Sequence, residues 1–188
     1  MLFILYPPGL GGNHLGNLIG LTTKVNFMQE EEVHKWYSQI EKKRGTAHVY
    51  IQKLMPGESG FDPNQPLAVG HFCTLEWTFI HTEEIKLPIT QILVVRFPEM
   101  SNSVVINRNA KLLNEKINFE ELFDQRAFYK QRIIEKLCPD VQVNEISSEY
   151  LFYSDLVHLN GELDSCGLGI DLKYDYLHKL WCKGNGIE

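Results

Sequence analysis

Short apolar runs recur along the chain, separated by longer segments in which apolar residues return every three or four positions. The apolar runs predict β-strands at residues 2–6, 67–73, 91–95 and 141–146, and the alternating segment 46–54 predicts a further strand. Residues 91–95 are rich in β-branched side chains, which is typical of a parallel strand covered on both faces. All of these runs are too short to span a bilayer.

Helical spacing follows in the segments between and after the strands. Apolar residues three or four positions apart predict helices at residues 14–21, 29–44, 101–116, 119–137 and 154–183, the last with a break near 167–171. Residues 55–66 are dense in glycine and proline and predict a loop. Strands separated by helices require crossover connections. The sequence therefore predicts a single α/β domain over residues 1–188, with a doubly wound, mostly parallel sheet flanked by helices.

The first predicted strand runs into a glycine-rich turn that opens the first helix. The candidate ligand-binding residues of this turn are Gly9, Leu10, Gly11, Gly12, Asn13 and His14. Glycine permits positive φ and places no Cβ between a ligand and the backbone amides, and the first turn of a helix offers free N–H groups to an anion. The segment therefore predicts a phosphate or sulfate site. A glycine-rich turn that binds nothing is the alternative interpretation.

This turn differs from the common nucleotide-binding motifs. The P-loop of a kinase or ATPase reads G-x-x-x-x-G-K-[ST], and neither its lysine nor its hydroxyl residue is in place here. Gly9, Gly11 and Gly12 match G-x-G-x-x-G only in part, because the next glycine is Gly16. The sequence thus favours an anion site that works without a metal ion.

Two further candidates follow directly after apolar strands. His71 follows one strand, and Arg96 follows the most strongly apolar one. Because ligands of open α/β sheets bind at the carboxyl ends of the strands, both residues and the turn are expected at one edge. A guanidinium there needs an anionic partner, which is either a ligand or an acid such as Glu76 or Glu99. His71 is a candidate base or a structural histidine, and His14 either donates to an oxyanion or caps its helix.

The composition limits the classes of function. The chain has 188 residues, 44% of them hydrophobic and 22% charged, which suits a globular domain with a substantial core. Its formal net charge of -6 argues against a nucleic-acid binder, because phosphate backbones select basic surfaces. The four cysteines lack the spacing of a metal site and predict reduced thiols in a cytoplasmic protein. No signal peptide or membrane anchor is predicted, because the apolar start lacks a basic region and ends at Pro7.

Four segments, in their order along the chain, resemble landmarks of the sulfotransferase family. They are YPPGLGGNHL at 6–15, VGHF at 69–72, VVRFPEMSNS at 94–103 and SSEYLF at 147–152. The resemblance implies a P-loop-like fold and the donor 3′-phosphoadenosine-5′-phosphosulfate (PAPS), with adenosine 3′,5′-bisphosphate (PAP) as the product. It also implies a small-molecule or glycan acceptor that carries a hydroxyl or an amine, and a reaction that needs no metal.

The same resemblance assigns roles to the candidate residues. The glycine-rich turn corresponds to the loop that binds the 5′-phosphosulfate, and His71 corresponds to the base that takes the acceptor's proton. Arg96, with Ser101 or Ser103, corresponds to the 3′-phosphate site. Residues 148–151 resemble a family segment that is mainly structural.

The chain also departs from the family. Pro8 and Gly9 stand where the family has a cationic side chain in the loop, and Val69 and Gly70 replace a Lys-Thr pair before the histidine. Loss of one such electrostatic group typically costs a factor of about 100 to 1000 in rate. His14 and Lys24 are candidate replacements for this charge, and His14 is therefore a second catalytic candidate. A non-catalytic nucleotide- or anion-binding relative and a small-molecule kinase remain as alternatives.

Overall fold

The computed structural model describes residues 1–6, 10–22, 29–38, 64–71, 89–96, 140–152, 156–185 and 187. These residues contain a four-stranded sheet. Its strands are β1 (Leu2–Tyr6), β2 (Leu67–His71), β3 (Gln91–Arg96) and β4 (Gln142–Ser147). The order is β2-β1-β3-β4, and every neighbouring pair is parallel.

Four helices are described around this sheet. They are α1 (Gly12–Gly20), α2 (Glu30–Tyr37), α3 (Leu156–Ser165) and α4 (Asp175–Gly184). A 3-10 helix, Ser148–Phe152, continues directly from β4, and a short one, Leu172–Tyr174, precedes α4. Helix α2 begins with three glutamates and carries Lys35 near its end, an arrangement that the helix dipole favours.

The two faces of the sheet are covered differently. Alternate residues of β1 and β3, such as Ile4 and Leu93, belong to one core cluster with apolar side chains of all four helices; we call this side the helical face. The intervening residues form a separate cluster on what we call the second face. Its fully buried members are Phe3, Leu5, Ala68, Ile92 and Val94. Alternate side chains of each strand therefore belong to two different cores, as expected for a sheet buried on both sides.

The structure confirms most sequence-based predictions that fall on described residues. The strands begin or end within a residue of their predicted positions, apart from β2, whose predicted residues 72–73 lie outside the described part. The parallel α/β architecture is confirmed, as is the break near 167–171 between α3 and α4. Helix α1 begins at Gly12, two residues before its predicted start, because Gly11 caps the helix and Gly12 is its first residue.

Other predictions lie outside the described residues. They are the strand at 46–54, the helices at 101–116 and 119–137, and most of the loop at 55–66. Double winding also stays a prediction, since the cluster on the second face contains no residue of a described helix. None of the helices in the described part has the length and apolar character that a bilayer crossing requires.

Candidate functional site

The candidate site lies at the carboxyl edge of the sheet. Because all four described strands are parallel, the glycine-rich turn after Tyr6 shares this edge with His71, Arg96 and Ser147, the last residues of β2, β3 and β4. The chain leaves β1 for β2 on one side and returns to β3 on the other, so the switch point lies between β1 and β3. The turn and Arg96 thus occupy the ends of adjacent strands, as predicted. The His71 side chain lies outside the described part.

Steric constraints require glycine at two positions of the turn. Gly11 precedes α1 and has a φ of 79°, a left-handed backbone conformation that residues other than glycine rarely adopt. A Cβ on Gly11 would also lie 3.2 Å from the outer ring of the Trp181 indole. At Gly12 any Cβ would overlap the ring of Tyr6. Both glycines are therefore needed for the backbone path and for close packing, whether or not a ligand binds.

The remaining residues of the turn are held as firmly. Leu10 is fully buried in the core of the helical face. The Tyr6 hydroxyl donates to Oδ1 of Asn13 over 2.7 Å, which ties the first turn of α1 to the end of β1. Gly9, the first candidate residue of the turn, lies outside the described residues. The turn is thus fixed in place from Leu10 onward.

His14 occupies a different environment from the one expected. Its side chain is fully buried, Nδ1 lies 2.6 Å from the Tyr37 hydroxyl, and Nε2 lies 2.8 Å from Nδ1 of His178. The imidazole also stacks on Trp181, with ring centroids 4.2 Å apart and planes 4° apart. Because both ring nitrogens are engaged inside the protein, neither is directed at a ligand. The His14 side chain therefore has a structural role here, whereas binding of a ligand by its backbone amide stays a prediction. Lys24, the other candidate for the missing charge, lies outside the described residues.

His14 belongs to a chain of buried polar groups that joins α1, α2 and α4. Nδ2 of Asn17 donates to the Tyr37 hydroxyl over 2.9 Å, and Nε2 of His178 lies 3.5 Å from Sγ of Cys182. The Tyr37 hydroxyl can donate to Nδ1 of His14 or accept from it, so the tautomers of the two imidazoles follow the direction of this chain of hydrogen bonds. Burial raises the pKa of Tyr37 far above its usual value, and the hydrogen bond from Asn17 offsets a part of this rise.

Arg96 projects from the second face of the sheet. Leu93 and Val95 point to the helical face, so alternation places Arg96 on the opposite side together with Glu145 of β4. Nε of Arg96 lies 3.5 Å from Oε2 of Glu145. This Nε is nevertheless buried and has no hydrogen-bond partner. The acids Glu76 and Glu99, which the sequence suggested as partners, lie outside the described residues.

Ser148 is a site residue that the sequence analysis treated only as structural. It opens the 3-10 helix after β4, it is fully buried, and its hydroxyl has no partner. The same 3-10 helix packs beside the turn, since Cδ1 of Leu151 lies 3.6 Å from the place of a Cβ on Gly11. The serine pair that follows the predicted strand at 141–146 was the available signal. Ser101 and Ser103, the expected hydroxyl ligands, lie outside the described residues.

The unpartnered groups at this edge share one chemical property. The Arg96 Nε–H can only donate a hydrogen bond, and the Ser148 hydroxyl can donate one. The first turn of α1 adds the positive end of a helix dipole. An anionic oxygen can accept a hydrogen bond from both groups, and the helix dipole favours its charge. In the described part of the chain, no group of three or more histidine, cysteine or acidic side chains is arranged to hold a metal ion.

Comparison of the whole chain with models of protein families, with curated proteins and with solved structures found no significant match. The resemblance to sulfotransferases therefore rests on the four sequence segments.

Proposed function

We propose that the protein binds a phosphate-bearing ligand across the carboxyl edge of the sheet, at the switch point between β1 and β3. The observation that carries the proposal is the pair of buried donors at the carboxyl edge of the sheet, Arg96 Nε and Ser148 Oγ, that have no hydrogen-bond partner. A buried donor without a partner costs about 1–3 kcal/mol. Phosphate oxygens would supply the missing acceptors, and the first turn of α1 would favour their charge.

The sequence resemblance gives this ligand a chemical class, PAPS or its product PAP. In this assignment the turn binds the 5′-phosphosulfate, and Arg96 binds the 3′-phosphate as a charge-assisted donor. Helix α1 packs on the helical face, whereas Arg96 lies on the second face. The ligand must therefore cross the edge of the sheet, with its two phosphate groups on opposite sides. The turn and Arg96 follow adjacent strands, whose backbones are about 4.8 Å apart.

The proposed reaction is the in-line transfer of the sulfuryl group from PAPS to an acceptor hydroxyl or amine. A bond forms between sulfur and the acceptor atom while the bond from sulfur to the phosphate oxygen breaks, and PAP leaves. His71, at the end of β2, takes the proton of the acceptor as general base. Amides of the turn stabilise the charge that develops on the leaving oxygen.

A second candidate is a binding protein of the same fold without turnover. Two observations favour it. Both ring nitrogens of His14 are engaged inside the protein, so His14 does not replace the cationic group that the family has in this loop. In addition, Arg96 already has the Glu145 carboxylate nearby. The third alternative, a small-molecule kinase, lacks a G-K-[ST] sequence in the turn.

The binding proposal is tested by melting curves of the full chain with PAP, AMP or ATP-Mg²⁺. A ligand at one hundred times its Kd stabilises the native state by about 2.7 kcal/mol, which raises the melting temperature measurably. We expect a rise with PAP that AMP does not match, because AMP lacks the 3′-phosphate. R96A should abolish this difference, whereas K173Q, which removes one exposed positive charge elsewhere, should preserve it.

The outcomes separate the candidates. Equal shifts with AMP and PAP would contradict the role of Arg96, and no shift with any of the three ligands at millimolar concentration would overturn the proposal. A shift with ATP-Mg²⁺ alone would select the kinase. Turnover is then measured as release of PAP from PAPS with a simple phenol, amine or sugar as acceptor. Loss of release in H71A at unchanged PAP affinity supports the enzyme, and PAP binding without release selects the non-catalytic protein.

A further inference from the structure

Helix α4 contacts the glycine-rich turn at the point where the turn becomes α1. The outer ring of Trp181 fits against Gly11, where a Cβ would leave only 3.2 Å. The same indole stacks on His14, with centroids 4.2 Å apart and planes nearly parallel. Trp181 is 1% exposed, so this contact is fully sealed from solvent. The Trp181 side chain of α4 thus contacts Gly11 and His14, which flank the first residues of α1 in the sequence.

The next residues of the turn pack against β1. The ring of Tyr6 leaves no room for a Cβ at Gly12, and its hydroxyl donates to Asn13. The backbone between Gly11 and Asn13 therefore packs against two aromatic rings, that of Tyr6 and that of Trp181. Movement of either ring would shift the amides of the first turn.

A hydrogen bond adds a directional tie to this packing. Nδ1 of His178, one turn before Trp181 on the same side of α4, lies 2.8 Å from Nε2 of His14. Nδ1 of His14 meets the Tyr37 hydroxyl, so the imidazole is held from both ends. The orientation of the first turn of α1 about its own axis thus depends on His178 as well as on Trp181.

We propose that Trp181 and His178 are positioning residues, which hold the turn at 11–14 so that its amides meet the phosphate of the ligand. This inference rests on the proposed function. Amides held in the binding orientation before the ligand arrives do not have to be ordered when it binds, so their confinement increases affinity. The two residues act through Gly11 and His14 and need no contact with the ligand.

The experiment compares W181L and W181F with L163A, which shortens a buried leucine of α3 instead of α4. For each variant we measure the free energy of unfolding, the PAP affinity by calorimetry and the hydrogen exchange of the amides at 12–15. We expect W181L to weaken PAP binding about tenfold and to speed exchange at 12–15, and W181F to have a smaller effect. L163A should lower the free energy of unfolding without weakening PAP binding and without speeding exchange at 12–15.

A second pair of variants, H178N and H178L, tests the same proposal if W181L does not fold. Asn in H178N retains a polar group near the position of Nδ1 that can hydrogen-bond to His14, whereas H178L removes this group. We expect H178N to retain most of the PAP affinity and H178L to lose it. Equal affinities in the two variants, or equal losses in L163A and W181L, would show that α4 acts only through stability and would overturn the inference.

The exchange measurement separates this inference from the proposed function. If the wild-type chain does not bind PAP, the proposed function fails. Faster exchange at 12–15 in W181L and H178L, with unchanged exchange in L163A, would then still show that α4 holds the turn. If the wild-type chain binds PAP and these variants bind it equally well, the positioning role fails and the proposed function stands.

Discussion

Arg96 and Glu145 lie on adjacent strands with opposite charges and with Nε only 3.5 Å from Oε2, yet Nε has no hydrogen bond. The guanidinium is partly exposed, with a side-chain exposure of 29%. The attraction within such a partly exposed pair is screened and contributes little to stability. The pair therefore neutralises part of the charge at this edge while leaving the Nε–H available to a better acceptor.

The Glu145 carboxylate should compete with a bound phosphate for Arg96. E145Q removes the competing charge and its repulsion of the ligand, so we expect PAP to bind about two- to fivefold more tightly, corresponding to roughly 0.5–1 kcal/mol for a partly exposed pair. Calorimetric titration measures the affinity. E162Q removes a negative charge on α3 instead and should leave the PAP affinity unchanged. Weaker binding in E145Q would mean that Glu145 supports Arg96 instead.

The unpartnered hydroxyl of Ser148 gives a test that separates binding from stability. S148A removes no hydrogen bond from the ligand-free protein, so we expect the free energy of unfolding to stay the same or to rise slightly. The PAP affinity should fall about tenfold, because a hydrogen bond to a charged group contributes roughly 1.5 kcal/mol or more.

The neighbouring serine provides the control. The Ser147 hydroxyl accepts from the Glu149 amide over 3.3 Å, so S147A should reduce the free energy of unfolding by about 1 kcal/mol. Urea unfolding and calorimetry on both variants check the pair of expectations. A loss of stability in S148A at unchanged PAP affinity would assign Ser148 to the core.

Two glycines on helices should respond in opposite directions to alanine. G12A places a Cβ into the Tyr6 ring, and such overpacking costs about 1–3 kcal/mol or prevents folding. Gly161, in the interior of α3, has open space where a Cβ would lie, with no atom within 4 Å, so G161A should stabilise the protein by about 0.5–1 kcal/mol. Urea unfolding of both variants measures the difference. Equal effects would contradict the close packing of the turn on β1.

Tyr37 should cause a loss of stability at alkaline pH. Its pKa is raised in the folded protein, mainly by burial, above the ordinary value of 10.0. The stabilisation by the neutral phenol is complete below pH 10 and falls as the pH rises, by about 1.4 kcal/mol per pH unit, because only the unfolded chain releases this proton. We expect Y37F to have a smaller slope of unfolding free energy between about pH 10 and 11.5, although it loses two hydrogen bonds.

Tyr176 serves as the comparison for this measurement. Burial and the Glu30 carboxylate, which accepts from its hydroxyl, raise the pKa of Tyr176 above its usual value. The side chain is exposed and solvent screens this shift, so Y176F should alter the slope less than Y37F does. An unchanged slope in Y37F would show that Tyr37 reaches water in the folded protein.

The strands and their edge could be predicted because the evidence for them is local. The buried run before Arg96 and the apolar segment before the glycines each identify a strand without reference to the rest of the chain. Parallel pairing then follows from the intervening helical segments, and it brings Arg96 and the turn to one edge. The presence of this shared edge was thus determined by the sequence alone.

The surroundings of the individual side chains were decided only by tertiary packing. Nothing near His14 in the sequence indicates that a histidine 164 positions away is hydrogen-bonded to it, or that Trp181 covers its ring. Likewise, alternation along β4 does not reveal that Glu145 lies beside Arg96, because the pairing of β3 with β4 sets that distance. Periodicity in a sequence records which side of an element is buried. The partner that buries it comes from a remote segment, and only the folded chain brings the two together.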